Sequence, residues 1–425
     1  MNTTARRQGG RAAQCSGVII GLLALAGPAV SAQTIAITGG TVYPVSGPKI
    51  ERGTVLIRDG RIVAVGANVT IPADAERVDA SGKWVTPGLI HGRHDAGLNV
   101  AGLGGFSEQG VRGDVTPSFS PVEGLNPQAF TIPVARTGGI TTGIVGPNGP
   151  FLPGRAFAMD LAGDRLEDVV ITQSAALVLN LSGSSRNAGG GSRAGAMARV
   201  RQLFADAQEY QRRRADYRRA QMQSLSAPVN ELEALLPALQ GRLPVVIVAH
   251  RQMDIRNALR LTREYRLQTV LYGAAEGWKV AQEIAEAKVP VAVEPLRDIP
   301  DFEGLNARLD NATLLREAGV EVIIAQGDPG GERSLRYIAG NAVRNGMSWD
   351  DALRAITLVP ARAFGLGDRY GSLEPGKVAN VVVWSDDPLD FRGHAEKVFI
   401  RGREVSLRTR ETELLERYKK LPPER

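Results

Sequence analysis

The chain has 425 residues, 43% hydrophobic and 23% charged, a composition that excludes a disordered or collagen-like protein and leaves room for a large core. Its formal charge of +6 falls to +3 once Arg6, Arg7 and Arg11 of the amino-terminal segment are set aside, too small a surplus to argue for nucleic acid. The single cysteine, Cys15, lies in that same segment, so the remainder of the chain can form neither disulfides nor thiolate metal sites.

Residues 1–32 read as a cleaved secretory signal. A basic start precedes an apolar run, 17–28, that is too short to span a bilayer, and Val30-Ser31-Ala32 fits a small-x-small cleavage site. This predicts a periplasmic or secreted mature protein without a transmembrane helix. Residues 33–85 read as short strands and turns, with a hairpin signal where β-rich runs flank Asp59-Gly60. From 86 to 365 apolar strands alternate with helices, the rhythm of a parallel sheet. Strands are expected at 143–145, 176–179, 245–249, 269–272, 291–294 and 322–325, and helices at 254–265, 277–287 and 334–345. Residues 183–195 hold five glycines and read as a loop; residues 196–225 read as a polar helical arm projecting from the core. That arm contains Arg212, Arg213 and Arg214 in succession and only a thin apolar stripe, which predicts that a second chain covers it. The chain returns to strands over 366–408, and a charged tail fills 409–425.

Two of the four histidines fall in one segment, Val85-Thr86-Pro87-Gly88-Leu89-Ile90-His91-Gly92-Arg93-His94-Asp95. It resembles the first barrel strand of the amidohydrolase superfamily, Pro-Gly-(apolar)2-Asp-x-His-x-His. A second segment, Gly371-Ser372-Leu373-Glu374-Pro375-Gly376-Lys377-Val378-Ala379-Asn380, resembles the superfamily's closing motif, with Asn380 in place of the usual Asp. Imidazolonepropionase-like secreted amidohydrolases are the most similar group. The resemblance spans nearly the whole mature chain. It implies a TIM-like (β/α)8 barrel over 86–365 and a small composite β-sandwich built from 33–85 and 366–408.

The resemblance also implies one or two divalent metals at the barrel mouth, which would lower the pKa of a bound water and polarise a scissile carbonyl. Carried over position by position, the ligand set is incomplete. The family's two strand-1 histidines fall on Arg93 and Asp95, and its Asp falls on His91; His94 is out of frame. A guanidinium stays protonated and cannot bind a metal. Strand 4 ends in Asn180 and Ser182, where the family has a Lys or Glu. His250 closes the buried strand 245–249 as the family's strand-5 ligand does. The strand-6 His is replaced by Gly273, with Glu276 nearby as a pocket candidate. Asp328 falls near the strand-8 position of the family's metal ligand and general base, although Gln326 competes for it.

The candidate metal ligands are therefore His250, Asp328 and Asp95, with Asp328 also the candidate catalytic base. His91, Arg93, His94, Gly273 and Glu276 are the remaining pocket candidates. Either one zinc-like ion or no metal fits this set. No Gly-x-Ser-x-Gly elbow, P-loop or His-Glu-x-x-His motif offers another catalytic route. Two readings stay open. One is a catalytically weak or silent relative that binds a small amide-like molecule or pairs with itself or an active sibling amidohydrolase. The other is a hydrolase of C–N bonds with a reduced, mononuclear site.

Overall fold

The computed structural model describes residues 33–98, 107–325 and 333–419. The leader reading for 1–32 lies outside them. The amino-terminal strands are β1 (Thr34–Val42), β2 (Ile50–Arg58), β3 (Arg61–Gly66), β4 (Glu76–Asp79) and β5 (Trp84–Pro87). The β2–β3 hairpin turns on Asp59 (φ 50°) and Gly60 (φ 74°), the paired left-handed residues that a tight two-residue hairpin demands.

The chain then enters a second sheet. Its strands are β6 (Leu89–His91), β7 (Ile140–Val145), β8 (Gly154–Asp160), β9 (Val170–Asn180), β10 (Val245–Ala249), β11 (Thr269–Gly273), β12 (Val291–Val293) and β13 (Val322–Ile324). They pair in chain order, β6 to β13, into an eight-stranded, nearly closed barrel. A Cβ on Gly92, just beyond β6, would sit 3.0 Å from the Ile323 side chain of β13, so the two edges approach across the seam. All pairs are parallel except those of β8, which runs against both β7 and β9. This departs from a strict (β/α)8 alternation. Its cause is the short link 146–153: a parallel return needs a crossover of about a dozen residues or more, and a shorter link can only turn the chain back on itself.

Side chains alternate across each barrel strand. Ile90, Ile144, Ala156, Val270, Tyr272, Ala292 and Ile323 form one cluster, inside the barrel. Leu89, Val145, Phe157, Leu177, Ile247, Leu271, Val291 and Val322 join the larger core between the strands and the surrounding helices.

The last strands are β14 (Val381–Trp384), β15 (Ala395–Ile400) and β16 (Arg403–Val405). β14 lies antiparallel on β5, with Val383 opposite Val85. Strands from before and after the barrel thus share one eight-stranded sheet, ordered β16-β15-β14-β5-β1-β2-β3 with β4 on β1.

Residues expected to project as an arm instead form a helix of the barrel wall. The helix Arg193–Arg212 buries Ala196, Met197, Val200, Leu203, Phe204, Ala207 and Tyr210. The spacing of three and four makes a continuous apolar stripe, packed in the main core and against the helix Val229–Leu239. Ser192 caps it, its Oγ accepting from Gly195 N at 3.0 Å. Arg212, Arg213 and Arg214 fall at or beyond its end, where they pair with Glu209, Asp216 and Glu233. Up to Arg212 the stripe that called for a second chain is covered by the protein's own wall; beyond it Tyr217 stays exposed.

Where sheet and barrel meet, the Asp160 carboxylate is fully buried and saturated. It accepts from Thr142 Oγ1 (3.0 Å), Asn380 Nδ2 (2.9 Å), Tyr370 Oη (3.1 Å) and Arg401 Nε (3.0 Å). Asn380, which replaces the motif's usual Asp, is thus a donor to a carboxylate contributed by β8.

Candidate functional site at the barrel mouth

At the carboxyl ends of the parallel strands lies a cavity of about 300 Å³. Ile144, Ala156, Val178, Val246, Val248 and Phe364 make its apolar walls, and Arg93, Asn148, Asn180 and Tyr272 supply its polar groups. The inward face of β10 runs Val246, Val248 and on toward His250, while β11 contributes Tyr272 beside Val248.

The four polar residues from the end of β6 onward, His91, Arg93, His94 and Asp95, divide in two. Arg93 turns into the cavity. Its Nη2 donates to Asn148 Oδ1 at 2.9 Å, and its guanidinium lies over the Tyr272 ring, 4.8 Å from the centroid. Asn148 is itself pinned, with its Nδ2 on Gln109 Oε1 (3.0 Å) and its N–H on Gln109 O (2.8 Å). His91 and His94 are buried outside the cavity lining, 5.3 Å apart between ring centroids. His91 Nδ1 accepts the Arg93 N–H at 3.1 Å. Neither ring nitrogen of His94 has a hydrogen-bond partner among the described residues. Burial pushes the His91 pKa well down and that of His94 to about 4, so both rings are neutral at pH 7. Asp95 is half-buried just beyond.

His250 ends β10, and burial lowers its pKa too, against the pull of Glu303, Asp301 and other carboxylates. Its imidazole stands over Gly273, where a Cβ would lie 2.4 Å from Cε1; the glycine (φ 90°) makes room for the ring. Gly273 thus leaves the cavity lining to Tyr272. The Tyr272 hydroxyl donates to Glu294 Oε1, and Glu294 Oε2 faces Arg297 at 3.7 Å. Burial raises the phenol's pKa, so it remains a donor. Asn180 stays at the mouth: its Oδ1 accepts from Ser182 N (2.9 Å) and its Nδ2 donates to Ser184 Oγ (2.9 Å).

Glu276 lies away from the cavity lining. It accepts from Gln252 N (3.0 Å), at the start of the helix Gln252–Tyr265, and from Asn306 Nδ2 (2.8 Å). It holds a helix N-terminus and the loop after β12 together. Glu303 on the same loop accepts from Gly183 N (2.9 Å) and pairs with Arg193 (2.8 Å). A Cβ at Gly183 would collide with Glu303 Oε1 at 2.1 Å. Asp328 lies outside the described residues. Among the described residues, no three His, Cys, Asp or Glu side chains come together to hold a metal ion.

Sequence reasoning did not single out Asn148, Tyr272, Glu294 or Glu303. Tyr272 and Glu294 were within reach, since both fall at the ends of expected strands, Tyr272 in the inward alternation and Glu294 as the terminal acid. Nothing local marks Asn148 or Glu303, whose partners are distant in the chain.

Residues 308–405 match the profile of the Amidohydrolase family. The amidohydrolase tasK of Hapsidospora irregularis is 24% identical over 388 residues, 82% of this chain, and the chain spans only 39% of that protein's length. An imidazolonepropionase of Acidiphilium cryptum is 25% identical over 377 residues, covering 80% of this chain and 89% of the enzyme. The crystal structure of an amidohydrolase from Thermotoga maritima superposes with a TM-score of 0.79 at 28% identity, over 88% of this chain and 100% of the other.

Proposed function

This chain belongs to the amidohydrolase superfamily, and we propose that its barrel mouth is a small-molecule binding pocket in place of a two-metal hydrolytic centre. The observation that carries the reading is Arg93. At a strand-1 position where the family places a histidine ligand, this chain puts a permanent cation against Asn148 and Tyr272. A guanidinium there repels a divalent ion and offers it no lone pair. Asn180 replaces the bridging carboxylate or lysine with an amide already engaged by Ser182 and Ser184. The donors present do not fit a two-metal clamp, and no step is derived through one.

In this reading the protein acts outside the cytoplasm, after loss of residues 1–32, and is catalytically weak or silent. Its cavity size is that of a small-molecule site. The mononuclear alternative is favoured by one observation: the neutral His250 imidazole at the end of β10, with Asp328 as its expected oxygen partner.

The test loads the mature protein with zinc and assays it against amides, cyclic amides and dipeptides. The expected result is less than one tightly held zinc per chain and no turnover above buffer. Two zincs per chain with turnover overturn the reading. One zinc, with turnover abolished by His250→Ala, establishes the mononuclear hydrolase instead.

A further inference from the structure

We infer that the mouth cavity takes a small apolar monocarboxylate, its carboxylate on the Arg93 guanidinium and its hydrocarbon body against the inward faces of β9 and β10. The inference rests on the reading of the mouth as a binding pocket and names the chemistry that the pocket selects.

Arg93 is the fixed charge of the cavity. A guanidinium has five N–H donors in a planar fork; the Asn148 Oδ1 acceptor engages Nη2 and the Tyr272 hydroxyl is a further partner, which together leave donors of the fork for a ligand. The fork is held still. One face is stacked on Tyr272, and Asn148 cannot swing away because both its amide nitrogen and its backbone N–H are tied to Gln109. Gln109 is itself buried, its Nε2 donating to His94 O at 3.0 Å. Glu294 has one oxygen on the Tyr272 hydroxyl and the other toward Arg297, and its charge, like that of Asp95, also acts on Arg93. The group that best complements a pre-oriented fork is a planar carboxylate, bound through charge-assisted hydrogen bonds.

The rest of the cavity asks for hydrocarbon. Val178, Val246, Val248, Ile144, Ala156 and Phe364 line it. A branched aliphatic or single-ring acid fits a cavity of about 300 Å³; a polymer does not. A neutral amide of the same shape meets the same walls and loses the ionic contact. The pocket would therefore rank the acid above the amide, the reverse of what a hydrolase of that amide requires.

The test is calorimetric titration of the mature protein with phenylacetate, isovalerate and phenylacetamide. The acids should bind, and phenylacetamide at least about 30-fold more weakly than phenylacetate, as the loss of a charge-assisted pair implies. Arg93→Lys should weaken phenylacetate about 10-fold by removing the planar fork, and Arg93→Met should abolish its binding. Val248→Phe keeps Arg93 and fills the lumen; it should also abolish binding, and an unchanged melting profile shows that the fold survives. Equal affinity for acid and amide, acid binding retained in Arg93→Met, or no acid binding at millimolar ligand overturns the inference. Those results leave the silent-pocket reading standing, whereas release of phenylacetate from phenylacetamide would break that reading itself.

Discussion

At the floor of the barrel the buried Asp160 carboxylate accepts four hydrogen bonds, from residues as far apart in sequence as Thr142 and Arg401. At the mouth the equally buried His94 imidazole meets no partner among the described residues. Asp160 is satisfied because its partners come from barrel and sheet alike. An unpaired donor there would cost the full desolvation of a buried group, about 1–3 kcal/mol. The mouth tolerates unmet polarity because it is where strand ends, loops and a ligand meet. Between these two residues, polar saturation goes with the junction that holds the fold together, and polar deficit with the end that the fold presents.

The sharpest way to break the comparison is to restore the family's own residue at the floor. Asn380→Asp places a second carboxylate at the 2.9 Å contact with Asp160, whose pKa burial already raises. Two like charges at that distance force one to stay protonated. Their folded pKa values rise above the unfolded ones, so stability is intact at low pH and lost as pH climbs. The variant should be destabilised by about 3 kcal/mol near pH 7, with the deficit shrinking toward pH 4. Denaturant unfolding at both pH values measures it; an unaffected variant at pH 7 would show that the floor is less closed than its hydrogen bonds indicate.

The loop after β12 carries a milder version of the same effect. Asp298 is buried, and burial pushes its pKa to about 8, against the hydrogen bond from Asn311 Nδ2 at 3.1 Å and with Glu294 adding to the rise. Because the folded value exceeds the unfolded one, this group's contribution is fully present below about pH 4 and lost progressively as pH rises to about 8. Asp298→Asn can still accept from Asn311 and removes the titration. Its stability relative to the parent should grow by about 2 kcal/mol between pH 5 and pH 7. A parallel pair of stability–pH curves would contradict this.

How far the sequence was legible follows from the same contrast. Strand β10 was readable because 245–248 is an unbroken β-branched run, set between Pro244 and the Ala249-His250 end. Strand β8 was not: alternation of Ala156 and Ala158 with Phe157 and Met159 is weak beside stronger neighbours, and its antiparallel course depends on a short link. The helix Arg193–Arg212 was read as an arm because alanines and a methionine supply much of its buried stripe, and because the arginine run that dominates the local composition lies past its end. At the mouth, alignment on Pro87-Gly88 put Arg93 at a ligand position, and the structure puts it in the cavity. Tyr272 escaped because a one-residue shift along β11 exchanges it with Gly273, a choice fixed only by pairing with β10.

The smallest expected effect tests the deficit itself. His94 is buried, both ring nitrogens without a partner among the described residues, and burial holds the ring neutral with a pKa of about 4. Its ring packs against Gly143, where a Cβ would lie 2.6 Å from Cδ2, so the glycine makes room for the imidazole. His94→Leu fits that volume and removes the unpaired polar atoms. Replacing an unsatisfied buried polar group by an apolar one of similar shape is neutral or stabilising, so the variant should gain up to about 1 kcal/mol. The backbone ties of residue 94, its N–H to Ile144 O and its carbonyl to Gln109, do not depend on the side chain and should persist. If the variant instead loses more than about 1 kcal/mol, the imidazole has a partner that the described residues do not supply, and the deficit at the mouth is smaller than it looks. If it keeps its stability but no longer binds phenylacetate, the ring acts through Gln109 and Asn148 on the set of Arg93, and the unmet polarity belongs to the pocket.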